Sequence, residues 1–446
     1  MLIGLVAAGC YDARAPEDAG RSLDAGRDAP VRDAPRDAYC VRVRELADGC
    51  RARWTHAWGV DGDITLTVPV VTALPASGVA LALVTWGAVP LRVGSFTFDG
   101  RAVVGLDAAG TVSWGRENRT AGLTLDGSAV AWVSYDGNWW LERSDPATGE
   151  TISRSPTVRD PNQLSTAACA TCAPSFLLTA YWRDAFDLGP LGVRTGVDGL
   201  SLVAVSSAGP RWDATVPLPR ESAAVGLALP PRTDATGGAV VGWNNGISDS
   251  VGYSLCPVPG GPCAAWADGI VVAYDADGLV RWTAAPGRSI DAIEVTSDGG
   301  AVAAEFTSLV RYAPDGTVRW GRGLNEFTAP IAVDEARSRV WAAISVPLGR
   351  VLEIGGVRVG DCPTGPGPWS RWPTLLVEFD LETGDVIRAR LPVEDMMIQA
   401  IAVLPDGGVV ISGDVEGASS IVACGETVTR DDAPGAPIEV VTLALD

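Results

Sequence analysis

The chain has 446 residues, with 54 acidic side chains against 34 basic ones and a net charge of −20. This balance excludes nucleic acid as a partner, because phosphate binding needs clustered positive charge. Every basic residue is arginine, which excludes a lysine nucleophile, and the single histidine, His56, excludes a metal site built from several histidines. We therefore expect neither a metal nor a cofactor.

Residues 1–10, MLIGLVAAGC, form an apolar run that is too short to span a bilayer and that ends in small residues and Cys10. The run resembles the end of a bacterial lipoprotein signal peptide, whose cysteine becomes lipidated. A signal remnant without lipid is the alternative, because Ala7 stands where leucine is usual and no basic start precedes the run. The resemblance implies export and a lipid anchor at the outer membrane, on its periplasmic side or at the cell surface.

Residues 11–39 repeat Asp, Ala, Arg and Pro and contain almost no large apolar side chains. Such a segment cannot bury enough surface to offset its chain entropy, so we expect a disordered tether. It resembles the Asp- and Ala-rich tethers of myxobacterial surface lipoproteins.

Residues 40–446 carry a repeat whose clearest unit runs from Asp291 to Trp320. Four strands are predicted there, joined by tight turns rich in Asp and Gly. They cover about 292–296, 301–306, 309–312 and 317–320. One such sheet cannot bury its faces alone, so copies of it must stack.

The fourth strand of the repeat closes on tryptophan in most copies, and two degenerate copies near Arg154 and Arg388 lack it. The tryptophans are Trp54, Trp114, Trp212, Trp282 and Trp320. The C-terminal copy, IEVVTLALD, stops before its fourth strand, which the segment before Trp54 can supply. The pattern predicts an all-β, seven-bladed β-propeller of four-stranded antiparallel blades, with the N-terminal strand completing the last blade.

These repeats resemble the quinoprotein-like, Trp-docking β-propellers of bacterial surface lipoproteins. The resemblance implies that the five tryptophans are structural and pack between neighbouring blades. Quinone-binding enzymes of that superfamily add metal-ligating polar residues at the centre, and often a vicinal cysteine pair. No such set is recognisable in this sequence.

Eight cysteines follow Cys10, an even number in a chain expected to be exported, which predicts disulfides. Short spacings suggest the pairs Cys40–Cys50 and Cys256–Cys263. Equivalent places in successive blades suggest Cys362–Cys424. The remaining Cys169 and Cys172, in CATC, form either a structural disulfide or, as the alternative, a redox pair.

Long insertions are predicted mostly between the second and third strands, which would place them on one face of the ring. They cover about 86–97, 184–196, 246–268, 348–373 and 415–437. Binding residues concentrate on loops held by a rigid scaffold. Trp369 and Trp372 are candidate anchors for a partner, although they could equally cover the small core of their own insertion.

The function predicted from these features is that of a non-catalytic binding or scaffold protein, monomeric, which recognises a protein or glycan at the envelope through its loop-rich face. Membrane contact is expected only through the lipid anchor. The alternative is a propeller enzyme, a hydrolase, lyase or quinoprotein-like protein with its site at the central channel. Carboxylates and arginines converging on that channel would favour the enzyme.

Overall fold

The computed structural model describes residues 50–446 with short gaps. The gaps are 61–65, 86–89, 118–120, 127–128, 136–138, 157–162, 168–174, 183–184, 189–190, 196–197, 207–208, 219–226, 229–231, 234–235, 246–253, 255, 266–267, 325–326, 347–350, 355–356, 361–373, 394–395 and 432. In the described part, no helix is long and apolar enough to cross a bilayer.

The described residues form β-strands and two single-turn 3-10 helices, Pro75–Ser77 and Glu335–Arg337. The first strands in chain order are β1 Ala52–Trp58, β2 Leu66–Ala73, β3 Val79–Thr85, β4 Pro90–Val93, β5 Phe96–Asp99, β6 Arg101–Leu106, β7 Val112–Glu117, β8 Ala121–Asp126, β9 Ala129–Tyr135, β10 Trp139–Ser144, β11 Thr151–Pro156, β12 Gln163–Ala167, β13 Ser175–Trp182, β14 Ala185–Asp187, β15 Val193–Thr195, β16 Asp198–Ser206, β17 Gly209–Leu218, β18 Leu227–Ala228 and β19 Arg232–Thr233. The remaining strands are β20 Ala239–Asn244, β21 Gly269–Tyr274, β22 Val280–Ala284, β23 Ala292–Val295, β24 Ala301–Glu305, β25 Ser308–Tyr312, β26 Val318–Gly323, β27 Phe327–Asp334, β28 Arg339–Ser345, β29 Val351–Ile354, β30 Val357–Gly360, β31 Thr374–Asp380, β32 Val386–Arg390, β33 Met396–Val403, β34 Val409–Ala418, β35 Ser420–Ala423, β36 Glu426–Thr429 and β37 Ile438–Leu445.

Six antiparallel sheets of four strands form the blades of a β-propeller. From the inner to the outer strand they are blade 1 (β2, β3, β6, β7), blade 2 (β8 to β11), blade 3 (β12, β13, β16, β17), blade 4 (β23 to β26), blade 5 (β27, β28, β31, β32) and blade 6 (β33, β34, β37, β1). A five-stranded sheet of β18 to β22 follows blade 3 in the chain and packs between blades 3 and 4.

The prediction of seven four-stranded blades is wrong in its count, because the structure shows six. In the five-stranded sheet the inner position is divided between the short strands β18 and β19, which both pair with β20. Pro230 and Pro231 lie between those two strands in the sequence. Proline has no N–H to donate to a neighbouring strand, so one continuous inner strand cannot form there.

The ring is closed by its first described strand. β1 pairs antiparallel with the last strand, β37, from Ala52 opposite Leu445 to Trp58 opposite Val440. The inner strand of blade 1 then packs beside that of blade 6, so the two ends of the chain lie in one sheet. The N-terminal strand therefore completes the last blade, as the sequence predicts.

The middle strands of the sheets are mostly buried. Every residue of β3, from Val79 to Thr85, is buried, and the same holds for β21 from Gly269 to Tyr274. Each sheet is covered on both faces by its neighbours, so these strands are continuous apolar runs without the usual alternation. The core thus lies in the junctions between sheets.

Candidate functional site

Tryptophans on the outer strands lie against the turn of the next sheet in the ring. A Cβ on Gly384 of blade 5 would stand 2.7 Å from Cδ2 of Trp320 in blade 4. Gly384 has a φ of +70°, and Trp320 Nε1 donates a hydrogen bond to the oxygen of Leu381 at 2.9 Å. The same close approach to a glycine of positive φ joins Trp54 to Gly110, Trp114 to Gly149, Trp212 to Gly278 and Trp282 to Gly316. Of these four, Trp114 and Trp212 also donate from Nε1 to a backbone oxygen of the turn. Glycine both tolerates the positive φ and leaves room for the indole.

A second side chain, two residues after the tryptophan, often contacts the same turn. Arg116 Nε donates to the oxygen of Gly149 at 2.8 Å, and Arg322 Nε donates to the oxygen of Gly384 at 2.9 Å. His56 takes the equivalent place at the closure of the ring, where its Nε2 lies 2.6 Å from the oxygen of Gly110. The protein's single histidine is therefore part of the contact between blades 6 and 1.

In blades 2 and 5 an arginine replaces the tryptophan and pairs within its own blade. Arg154 stands opposite Glu142 and Arg388 opposite Glu378, where Trp114 faces a glycine instead. Arg154 Nε lies 3.1 Å from Glu142 Oε1, and its guanidinium is 4.5 Å from the Trp140 ring. Arg388 contacts Glu378 in the same way and lies 5.2 Å from the Trp341 ring.

These two exceptions coincide with the loss of the glycine turn from the next sheet. In blade 3 the third and fourth strands pair as far as Ser206 and Gly209, which leaves two residues for the turn. In blade 6 no such turn exists, because the third strand is β37 and the fourth is β1. The docking tryptophan and the glycine turn that receives it are thus present together or absent together.

The insertions between the second and third strands fold into small hairpins. They are β4–β5 in blade 1, β14–β15 in blade 3, β29–β30 in blade 5 and β35–β36 in blade 6. In the five-stranded sheet, the insertion carries the Cys256–Cys263 disulfide. The predicted position of the insertions is confirmed.

These hairpins fold back onto the ring. A Cβ on Gly115 of the outer strand β7 would stand 2.4 Å from the ring of Phe98 in β5. In blade 3, Arg194 of β15 pairs with Asp213 of the outer strand β17, with Nη2 and Oδ1 2.6 Å apart. The expectation of one elaborate face needs correction here: much of the inserted chain packs along the outer strands.

The disulfides correct two predicted pairings. Cys50 is bonded to Cys424, so neither Cys40–Cys50 nor Cys362–Cys424 forms. The sequence argument compared insertions of successive blades, but Cys424 lies at the tip of β35–β36, which runs beside the outer strand of its own blade. Cys256–Cys263 is confirmed. Cys10, Cys40, Cys169, Cys172, Cys362, Trp369 and Trp372 lie outside the described residues.

Charged groups occur near the inner strands of the five-stranded sheet and blade 4. Arg232 of β19 donates through Nε to Glu294 Oε1 of β23 at 3.0 Å. Burial raises the pKa of Glu294, and Arg232 partly offsets the effect. Burial also raises the pKa of Asp291, just before β23, to about 6, against a backbone hydrogen bond from Phe306. A carboxyl group of this pKa can exchange a proton near neutral pH.

A second carboxyl group of blade 4 is held by a tyrosine. The hydroxyl of Tyr312 donates to Glu305, and both side chains are buried. Burial raises the pKa of Glu305, while the hydrogen bond from Tyr312 and the charge of Arg288 oppose the rise. Within the described residues, no group of three or more His, Cys, Asp or Glu side chains is placed to hold a metal ion.

The surroundings of His56 combine aromatic and acidic contacts. Its ring is stacked on Trp58 with centroids 5.5 Å apart, and Nδ1 lies 2.6 Å from Asp431 Oδ2, just beyond the hairpin β35–β36. Burial lowers the pKa of His56, but the hydrogen bond and charge of Asp431 outweigh it, so that the pKa is raised. His56 therefore links the outer strand, the hairpin and the next blade.

The sheet topology identifies the β-propeller class, and the comparisons with known proteins add nothing narrower. No family model matches the chain, and no curated protein sequence does. Solved structures similar to it include BamB from Moraxella catarrhalis, at 11% identity over 85% of each chain with a TM-score of 0.36. A chain of a mitotic checkpoint complex shares 10% identity over 92% of this chain and 98% of that one, with a TM-score of 0.49. The C-terminal WD40 domain of Sif2 shares 7% identity over 88% of this chain and 99% of that one, with a TM-score of 0.44.

Proposed function

We propose that this protein is a non-catalytic binding or scaffold protein that works through its inserted segments. The proposal rests on the observation that these segments are held in place on a closed ring. Phe98 packs on Gly115, Arg194 pairs with Asp213, and a disulfide joins Cys424 to Cys50. A preorganised surface loses less conformational entropy on binding, which favours recognition of a protein or glycan.

The same proposal assigns structural roles to the ring. The five-stranded sheet fills the space between blades 3 and 4, and its outer strand carries Trp282, which rests on Gly316. The five docking tryptophans act as spacers that fix the angle between neighbouring sheets. Such a scaffold would act as a monomer, because β1 fills the place beside β37 that an open ring would offer to a strand of a second copy.

We further propose that the protein is exported and anchored through Cys10, with residues 11–39 as the tether. Two disulfides support an oxidising compartment, because such bonds are rare in cytosolic proteins. The test is Cys10→Ser, which should move the protein from the membrane fraction to the soluble envelope fraction. A variant that stays with the membranes after a salt wash would contradict the anchor.

Affinity capture with the full chain from the envelope of the source bacterium tests the binding role. The matched variants are Trp369→Ala with Trp372→Ala, in the predicted anchor segment, and Val422→Ala, on the hairpin of blade 6, where the side chain is 38% exposed. A partner or glycan lost only with the tryptophan pair supports binding there. If the unmodified chain and both variants capture the partner equally, these tryptophans are not part of the binding surface.

An enzyme with its site at the central channel is the second candidate, and Asp291 is the observation in its favour. A general acid or base works best with a pKa near the working pH, and the pKa of Asp291 is about 6. A hydrolase or lyase activity that is lost with Asp291→Asn, while the ring remains folded, would establish the enzyme. Activity that survives the substitution would exclude this residue.

A further inference from the structure

The junctions between neighbouring sheets differ in how their outer parts are filled. At five junctions the apolar cluster includes side chains from an insertion, such as Phe98 between blades 6 and 1 or Phe186 between blades 2 and 3. The remaining three of these five junctions contain the insertion residues Leu352 between blades 4 and 5, Ile421 between blades 5 and 6, and Ala264 between blade 3 and the five-stranded sheet. Among the described residues, the clusters joining blades 1 and 2, and the five-stranded sheet and blade 4, contain no side chain from an insertion.

Blades 1 and 4 show the difference at equivalent positions of their outer strands. In blade 1, Gly115 follows Trp114 and stands opposite Val104; in blade 4, Gly321 follows Trp320 and stands opposite Val310. A Cβ on Gly115 would collide with Phe98 at 2.4 Å. Among the residues that the structure describes, a Cβ on Gly321 would meet only Val310, at 3.8 Å. The space that Phe98 fills in blade 1 is therefore open in blade 4.

The residue two positions before the tryptophan repeats the contrast. Val112 in blade 1 is partly buried, and its Cβ lies 3.4 Å from the place of a Cβ on Gly94 at the hairpin tip. Val318 in blade 4 is 60% exposed. Val318 and Gly321 together form an apolar platform on β26, and Val310, only 8% exposed, lies beneath it.

Two other sheets also have an exposed apolar side chain two positions before the tryptophan or the arginine that replaces it. They differ from blade 4 because they lack a glycine at the position of Gly321. Ile152 of blade 2 and Val280 of the five-stranded sheet are 58% and 42% exposed. Ser155 and Thr283 stand where blade 4 has Gly321. A side chain at that position occupies the space that an incoming aromatic ring needs, so only β26 offers the platform with its recess.

We propose that the platform of Val318 and Gly321 is a docking surface for a β-hairpin of a partner protein, with an aromatic side chain seated over Gly321 as Phe98 is seated over Gly115. The hairpin β4–β5 shows what covers this surface elsewhere in the ring. That hairpin forms a sheet of its own and contacts β7 through side chains, so the platform needs no backbone pairing with its partner. The platform contains no residue of the inserted segments, so this proposal is independent of the binding role proposed for them.

A synthetic hairpin tests the surface directly. The probe is a fluorescent peptide of residues 90–99, PLRVGSFTFD, cyclised to hold the hairpin, and it is titrated into the full chain while its anisotropy is measured. We expect saturable binding below about 1 mM, because weak contacts of small area fall in this range. Binding should fall at least tenfold with Gly321→Trp, and equally with a peptide carrying Phe98→Ala.

Two controls make the result decisive. Val422→Trp places an indole on the distant hairpin of blade 6 and should leave peptide binding unchanged. Val318→Asp should weaken binding without adding bulk at Gly321, and circular dichroism checks that each variant is folded. Absence of binding at 1 mM peptide, or binding that survives Gly321→Trp, overturns the proposal. A concentration-dependent dimer of the peptide-free protein that Gly321→Trp abolishes would assign the platform to a second copy and overturn it too.

Discussion

The indole of Trp320 occupies the space that a side chain at Gly384 would need, with 2.7 Å between Cδ2 and the position of a Cβ there. Gly384→Ala must therefore displace the indole and also place alanine at a φ of +70°. Gly287 has the same φ, and no atom of the described residues lies within 4 Å of its Cβ position, so Gly287→Ala isolates the backbone cost. We expect a loss of about 1 kcal/mol for Gly287→Ala and of about 2–4 kcal/mol for Gly384→Ala. Urea unfolding of both variants measures the difference, and equal losses would refute the docking role of the tryptophan.

The disulfide between Cys50 and Cys424 should stabilise the closed ring. It joins cysteines 374 residues apart, and a long closed loop removes much entropy from the unfolded chain. Replacing both residues with serine should lower the free energy of unfolding by roughly 2–5 kcal/mol. The double serine variant at Cys256 and Cys263, which are 7 residues apart, is the matched control and should cost less. An equal cost for the two variants would contradict this account.

The contact made by His56 should make the stability of the ring depend on pH. The pKa of His56 is raised in the folded protein, so the protonated ring binds Asp431 more strongly than a neutral ring does. This contribution is complete below the unfolded pKa of about 6.5 and is lost as the pH rises through the folded pKa. Thermal unfolding should show a decline as the pH rises above about 6.5 that His56→Arg removes, because Arg116 and Arg322 fill the equivalent places with a permanent charge. A decline of the same size in His56→Arg would assign it to other groups.

Asp291 should make stability fall as the pH rises, whereas a carboxylate whose pKa is lowered by folding makes stability rise with pH. Burial raises its pKa to about 6, so the folded state gives up the proton later than the unfolded state, and stability falls as the pH rises from about 4 to 6. Asp291→Asn should remove this fall and raise stability at pH 7 by on the order of 2–3 kcal/mol. In the exposed control Asp315, the hydroxyl and the backbone N–H of Thr317 lower the pKa, so Asp315→Asn should weaken the protein at pH 7. A destabilised Asp291→Asn protein would show that the ionised carboxylate is needed in the fold.

The sequence predicts the ring closure and the place of the insertions because both follow from the order of repeated elements. The pairing of Ala52 with Leu445 is implied by a last repeat that lacks its fourth strand. Trp320 and Gly384 are predictable as partners once the tryptophan and the glycine turn are counted together. The division of the inner strand into β18 and β19 was missed, although Pro230 and Pro231 mark it in the sequence.

The candidate site is less accessible from sequence, because it depends on the direction in which each insertion folds. Nothing local to Cys424 indicates that the hairpin β35–β36 runs back along β1, so its pairing with Cys50 could not be derived from spacing. The pairs Arg154–Glu142 and Arg388–Glu378 were missed for another reason. The sequence marks these two copies only by the missing tryptophan, whereas in the structure the arginine at that place forms a charge pair across the two strands. Their signal was available, since a glutamate stands opposite the arginine in both repeats.

The bond between Cys50 and Cys424 also decides how the ring responds to mechanical load. Cys50 precedes β1, so any tension that enters through the residues before it reaches the disulfide before it reaches the hydrogen bonds between β1 and β37. The covalent link passes that tension to the hairpin β35–β36 and from there into β34 and β37. Pulled from its N-terminal side, the oxidised protein should resist peeling of its closing strand, whereas the reduced protein should open at that strand first.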